Sequence, residues 1–193
     1  MKVVGITGGI GSGKSVVSKI LETMEIPVYN SDAEAKKIME SSLFVREKLS
    51  KKFGNQLYFT GKLNKTLLAE LIFNHSEYLT FVNSVIHPEV YKDFLEWKQK
   101  YVSFPILGIE SAILFESGFD KYVDLSITVS APLELRIKRL QKRESLDETT
   151  ILNRIKNQMS EEERISKADY IIVNDDIQPV IPQVESILKE FIN

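Results

Sequence analysis

Gly8-Gly9-Ile10-Gly11-Ser12-Gly13-Lys14-Ser15 satisfies every fixed position of the pattern G-x-x-x-x-G-K-[ST]. Glycines at this spacing let the backbone approach a ligand closely, and successive N–H groups then converge on phosphate oxygens. Lys14 is placed to neutralise the β- and γ-phosphates, and the Ser15 hydroxyl to hold Mg²⁺. Gly9, Gly11, Ser12 and Gly13 supply the cradle. The rival dinucleotide fingerprint G-x-G-x-x-G fails, because the sixth position counted from Gly9 is Lys14. The chemistry implied is binding of a nucleoside triphosphate.

Other residues could act on such a ligand. Asp32, in Asn30-Ser31-Asp32-Ala33-Glu34, follows a short apolar run directly. A carboxylate there would accept the proton of an attacking hydroxyl. Ser31 and Glu34 also form a capping box, which would leave Asp32 in a first helical turn with no further duty. Arg136, Arg139 and Arg143 recur at three- and four-residue intervals and should share one helix face, where forked guanidinium groups would clamp a triphosphate. A solvated helix with Glu134 and Glu144 as partners is the alternative. Arg154 and Gln158 form a second spaced pair. His87-Pro88 reads as a turn marker or as a chemical group, and Glu110 and Glu116 as water-bridged metal partners or as exposed carboxylates at a strand end. Trp97 and the phenylalanines around it read as core.

These groups need elements to hold them. Lys2 to Thr7 reads as a buried strand before the glycine loop, and Ser15 to Met24, with Val16, Ile20 and Met24 four apart, as a helix after it. Further strands are expected at Pro27 to Asn30, Ile106 to Ile109, Leu125 to Val129 and Tyr170 to Val173, making a parallel sheet of about five strands with crossover helices. Between Asp32 and Ser103 only Gln56 to Phe59 suggests a strand. The rest reads as helices, the last from Ser76 to Lys100 and kinked or divided at His87-Pro88. This insertion, about 32–103, is large enough to be a substrate-binding subdomain. Leu133 to Arg143 is helical; Ser145 with Glu148 predicts a cap for a helix through Gln158, and Ser160 with Glu163 another. The basic stretch of about 136–160 suits a mobile flap. A last helix follows Asp176, with Pro179 and Pro182 near its first turn.

The 193 residues are enough for one globular unit with inserted subdomains. A formal net charge of −2 gives no nucleic-acid or membrane footprint. With no cysteine a disulfide framework and a thiolate metal site are excluded, and the two histidines, His75 and His87, argue against a His-rich one. The N-terminus lacks a signal-peptide pattern and no apolar run reaches bilayer length, so a soluble cytoplasmic protein is expected.

Taken in order along the chain, these motifs resemble the dephospho-coenzyme A kinases. Gly5-Ile6-Thr7-Gly8-Gly9-Ile10-Gly11-Ser12-Gly13-Lys14-Ser15 is close to that family's opening, Asp32-Ala33-Glu34 to its Asp-Ala-Asp, and His87-Pro88 to its His-Pro. Ile113-Leu114-Phe115-Glu116 resembles its Pro-Leu-Leu-Phe-Glu. Arg139 with Arg143, then Arg154-Ile155 with Gln158, resemble its flap, and Lys167 to Ile172 with Asn174 its last strand and adenine turn. The resemblance implies a P-loop NTPase-type three-layer α/β fold with a helical domain for the CoA side and a lid. The activity implied is transfer of the γ-phosphoryl of ATP to the ribose 3′-hydroxyl of dephospho-CoA, with Mg²⁺, as the last step of coenzyme A synthesis. It further implies Asp32 as base, Lys14 and Ser15 at phosphates and metal, Arg139 and Arg143 on the lid, and the Val16 N–H at the α-phosphate. Asn174 falls near adenine, and His87 with Asp32 on the acceptor side. Val16 stands where the family has Thr, Ala112 where it has Pro, and Asp175 where it has Gly. The alternatives are a shikimate- or nucleoside-monophosphate-type kinase and a non-enzymatic nucleotide switch, although the Asn-Lys-x-Asp of guanine switches lacks its carboxylate at Asn64-Lys65-Thr66-Leu67.

Overall fold

The computed structural model describes residues 1–192. The chain divides into two compact units, Met1–Asn30 with Lys100–Asn193, and Ser31–Gln99. The first holds all five strands found among the described residues: β1 (Lys2–Gly8), β2 (Val28–Asn30), β3 (Ile106–Glu110), β4 (Leu125–Ser130) and β5 (Tyr170–Val173). Their order is β2-β3-β1-β4-β5 and every pairing is parallel. Residues 3–8 of β1 and all of β3 are buried, as both faces of a helix-covered parallel sheet require. The chain runs to β2 and β3 on one side of β1 and to β4 and β5 on the other. The order therefore reverses at β1, and the crevice beyond its C-terminal end is where such sheets take ligands. This is the three-layer α/β architecture of the P-loop kinases.

One face of the sheet is closed by α1 (Lys14–Thr23) and α9 (Val180–Ile192). Val17 and Leu21 of α1 join Val184, Ile187 and Leu188 of α9 against Val4, Ile6, Ile127, Val129 and Ile172. Each fully buried aliphatic side chain contributes about 1.5–3 kcal/mol, so this layer fixes where the first turn of α1 lies. The sheet edge carries further ties. The Asp169 carboxylate accepts from the Ser126 backbone N–H at 2.8 Å and from its hydroxyl at 2.6 Å, which anchors the start of β5 to β4.

α6 (Leu133–Glu144), α7 (Glu148–Lys156) and α8 (Glu161–Lys167) follow β4. Ser145 does not cap α7: at φ 53° it is the left-handed C-cap of α6, its N–H donating to the Gln141 carbonyl. Asp147 caps α7 instead, accepting from the Thr150 N–H at 2.9 Å and from its hydroxyl. α7 ends at Lys156, with Asn157 as its C-cap, and leaves Gln158 outside it. Ser160 does cap α8, accepting from the Glu163 N–H at 3.1 Å.

The second unit contains α2 (Ser31–Ser41), α3 (Leu43–Phe53), a 3₁₀ segment (Asn55–Gly61), α4 (Lys65–Asn74) and nearly all of α5 (Ser76–Lys100). The expected strand at Gln56 to Phe59 is thus a 3₁₀ turn. Leu57 and Tyr58 are buried within this turn and Phe59 is exposed. α5 runs unbroken through Pro88. The proline removes one backbone donor, but Val82, Val85, Ile86, Val90 and Phe94 are buried on both sides of it and keep one helix. Trp97 is only half-buried, stacked on Phe94 at 6.1 Å between ring centroids.

Candidate functional site

The loop Gly9–Gly13 leaves the end of β1 and turns directly into α1. Ser12 N–H donates to the Gly9 carbonyl at 3.1 Å, and Val16 N–H to the Gly13 carbonyl at 2.9 Å. Gly13 is the N-cap at φ 101°, a left-handed conformation, and a Cβ there would overlap the Asn174 side-chain nitrogen. α1 opens with no capping side chain and no acidic residue in its first turn. An uncapped helix N-terminus under a glycine loop favours an anion through its dipole and its backbone donors. Ser15 and Val16 are exposed on this first turn. The Lys14 ammonium donates to the Gly8 carbonyl at 2.9 Å and reaches the Gly9 carbonyl at 3.5 Å.

Beside the loop lies a cavity of about 150 Å³, lined by Gly11, Gly13, Lys14 and Ser15 together with Glu110, Arg139 and Arg143. Three cations face one carboxylate. Glu110 is the last residue of β3, in register with Ile6 of β1 and Asn30 of β2. It is 8% exposed, against the reading of an exposed strand-end acid, and accepts from the Ser18 hydroxyl at 2.7 Å. Ser18 lies one helical turn beyond Lys14, a spacing that could have flagged it. Glu116 is exposed, and its carboxylate accepts from the Met159 N–H at 3.3 Å.

α6 does not present its arginines as one clamp. Arg136 is 4% exposed; its Nε donates to the Ile10 carbonyl at 3.0 Å and its Nη1 to Glu161 at 3.2 Å. Burial lowers its affinity for a proton, which the Glu161 carboxylate partly offsets. It is a strut under the loop, and a Cβ on Gly9 would collide with its guanidinium. Arg139, one turn on, lines the cavity and is held by the Asn174 carbonyl at 3.0 Å and by the Asp176 carboxylate, with longer contacts to the Gly11 and Ser12 carbonyls. Arg143 reaches solvent and pairs with Glu144, which also accepts from Arg154 at 2.7 Å. The hydrogen bond from Arg143, with Arg154 adding to it, holds the Glu144 carboxyl below the usual range. Arg154 and Gln158 part company, since Gln158 turns to Ile10.

Asn174 is buried, with its side-chain amide donating to the Ser12 carbonyl at 2.8 Å. In this conformation the amide holds the phosphate loop. Asp175, at the family's glycine position, supports the next turn by accepting from the Ile177 and Gln178 N–H groups, and these bonds pull its carboxyl down. In the helical unit, Asp32 lies in the first turn of α2 and is half-buried. His87 is half-buried in α5, and burial depresses its pKa, so it is neutral at pH 7.

A family model for dephospho-CoA kinase matches residues 2–179. A Bacteroides fragilis dephospho-CoA kinase is 48% identical over 181 residues, covering 94% of this chain and 88% of its own. Among solved structures, TT1252 from Thermus thermophilus superposes with a TM-score of 0.85 at 32% identity, over 99% of this chain and 96% of that one. Dephospho-CoA kinase from Campylobacter jejuni does so at 0.70 with 26% identity, over 99% and 98%.

Proposed function

The chain belongs to the dephospho-CoA kinase family, and on that premise we propose that it transfers the γ-phosphoryl of ATP to the ribose 3′-hydroxyl of dephospho-CoA, giving coenzyme A and ADP. The observation that carries the nucleotide half is the uncapped start of α1 under Gly9–Gly13, beside a cavity with Lys14, Arg139 and Arg143 on its walls. The triphosphate lies along this loop, with Gly9, Gly11, Ser12, Gly13 and the first-turn residues Lys14, Ser15 and Val16 around it. Lys14 and Arg139 meet the charge that spreads over the transferring oxygens, which is the dominant catalytic contribution in phosphoryl transfer. Arg143, exposed on the same helix, reaches the outer phosphates when the segment of about 136–160 acts as a lid. Asn174 and its turn border the adenine.

The donor set suits a hard divalent cation. No cluster of three or more metal-binding side chains exists among the described residues, which fits Mg²⁺, an ion usually held by one or two protein oxygens and the phosphates. Ser15 would hold it directly and Glu110 through water, and the chemistry it would supply there is neutralisation of charge on the phosphate oxygens.

Asp32, two residues beyond the end of β2, takes the proton of the attacking hydroxyl. The unit Ser31–Gln99, with Asp32 and His87, binds the acceptor. His87, neutral through burial, serves there as a hydrogen-bonding group rather than a countercharge. The protein works in the cytoplasm; no helix among the described residues is long and apolar enough to cross a membrane.

An acceptor panel with ATP and Mg²⁺ tests this. Dephospho-CoA should give phosphorylated product at a kcat/KM at least a hundredfold above that for shikimate or any nucleoside monophosphate. A preference for either of those acceptors would overturn the assignment.

A further inference from the structure

Ile10 is the apex of the phosphate loop, and both of its backbone polar groups are taken. Its carbonyl accepts from Arg136 Nε at 3.0 Å. Its N–H donates to the Gln158 side-chain oxygen at 2.8 Å, across 148 residues of sequence. Gln158 lies on the short link between α7 and α8, and the residue after it is pinned twice: Met159 N–H by Glu116, Met159 carbonyl by the buried Arg164. On the other side, Glu161 at the start of α8 bridges Arg136 and the Ser130 hydroxyl. A half-buried, uncharged amide is thus delivered, from a link tied down at Met159, to one chosen amide of the loop. An N–H given to Gln158 cannot also serve a phosphate oxygen, so the bond sets which loop amides remain for the ligand.

We infer that Gln158 is a positioning residue for the triphosphate: by holding the Ile10 N–H it fixes the phosphate loop in its nucleotide-ready shape, and so ties the far end of the basic α6–α7 segment to the nucleotide site. The inference deepens the reading above. It rests on a nucleotide at the loop and is indifferent to the acceptor.

Gln158→Met keeps the side chain's length and removes the acceptor; Gln158→Glu keeps an acceptor in place. Calorimetry with ATP and Mg²⁺, without acceptor, should show about tenfold weaker binding for Gln158→Met, the scale of one lost hydrogen bond to a partly buried donor. Hydrogen exchange of the peptide carrying Ile10 should be faster in Gln158→Met and protected as in wild type in Gln158→Glu. The KM for ATP should rise while the KM for dephospho-CoA stays within twofold. Unchanged ATP affinity, or weaker affinity with unchanged exchange at Ile10, would overturn the inference. Wild-type protein that binds ATP but ignores dephospho-CoA would sink only the acceptor assignment, and the Gln158 comparison would still be read from binding and exchange.

Discussion

Lys14 carries its ammonium over the carbonyls of its own loop, 2.9 Å from Gly8 and 3.5 Å from Gly9. In the proposed mechanism a cation kept at the loop in this way would meet the triphosphate as charge already in place, which is how preorganised charge limits reorganisation during a reaction. In that mechanism Asp32 acts on the acceptor's proton and Lys14 on the triphosphate. The two residues should therefore fail differently. Lys14→Ala is expected to weaken ATP binding and cut kcat about 10²–10³-fold, the range for removing one preorganised charge-stabilising group. Asp32→Asn should leave the calorimetric ATP affinity within twofold and lower kcat by about 10²–10⁴, the range for a lost general base. A wild-type kcat in Asp32→Asn would reduce that residue to its place in the first turn of α2.

α6 shows how one helix distributes like side chains. Positions 136, 139 and 143 share a face by spacing, yet the three side chains grow more exposed in that order. Arg136 at its first turn is a buried strut, Arg139 borders the cavity, and Arg143 meets solvent and Glu144. The junction that follows is decided by two residues, Ser145 in a left-handed C-cap and Asp147 as the N-cap of α7. Asp147→Ala should cost about 1 kcal/mol, the usual worth of an N-cap. Ser145→Gly should be neutral or stabilising by up to about 1 kcal/mol, because glycine adopts φ 53° without the Cβ clash. Thermal melts of the two variants rank them. Were Ser145 the cap, Ser145→Gly would still cost only tenths of a kcal/mol, but Asp147→Ala would cost nothing.

At the scale of the molecule, one unit carries the sheet and the loop and the other is wholly helical. If nucleotide and acceptor belong to different units, their footprints should separate. ATP with Mg²⁺ at a hundredfold excess over Kd should stabilise the protein by about 2.7 kcal/mol through mass action. Its hydrogen-exchange protection should centre on residues 8–18 and 136–143. Dephospho-CoA added afterwards should protect peptides within Ser31–Gln99. Acceptor protection confined to the sheet unit would remove the helical unit from substrate binding.

The places of the strands along the chain, the loop and its helix were legible because each is a local signal; the order of the strands in the sheet was not among them. Continuous β-branched runs mean strands buried on both faces, and Gly9 to Ser15 has its chemistry written in consecutive residues. The helical stretch after Asp32 announced itself by its want of strand patterns. What the sequence could not rank was how competing local devices would resolve. Ser145 and Asp147 both offer a cap, and the backbone accepts only one. Gln56 to Phe59 reads as strand by residue type, and only the folded chain shows it closed into a 3₁₀ turn with Leu57 and Tyr58 buried. The identity of Arg136 as strut, of Asn174 as a holder of Ser12, and of Gln158 as the partner of Ile10 belongs to tertiary structure alone. Those contacts join residues 126, 162 and 148 positions apart, and no periodicity carries information over such distances. Sequence wrote the phosphate loop; the closing of β4, β5 and α6–α8 around β1 decided what holds it.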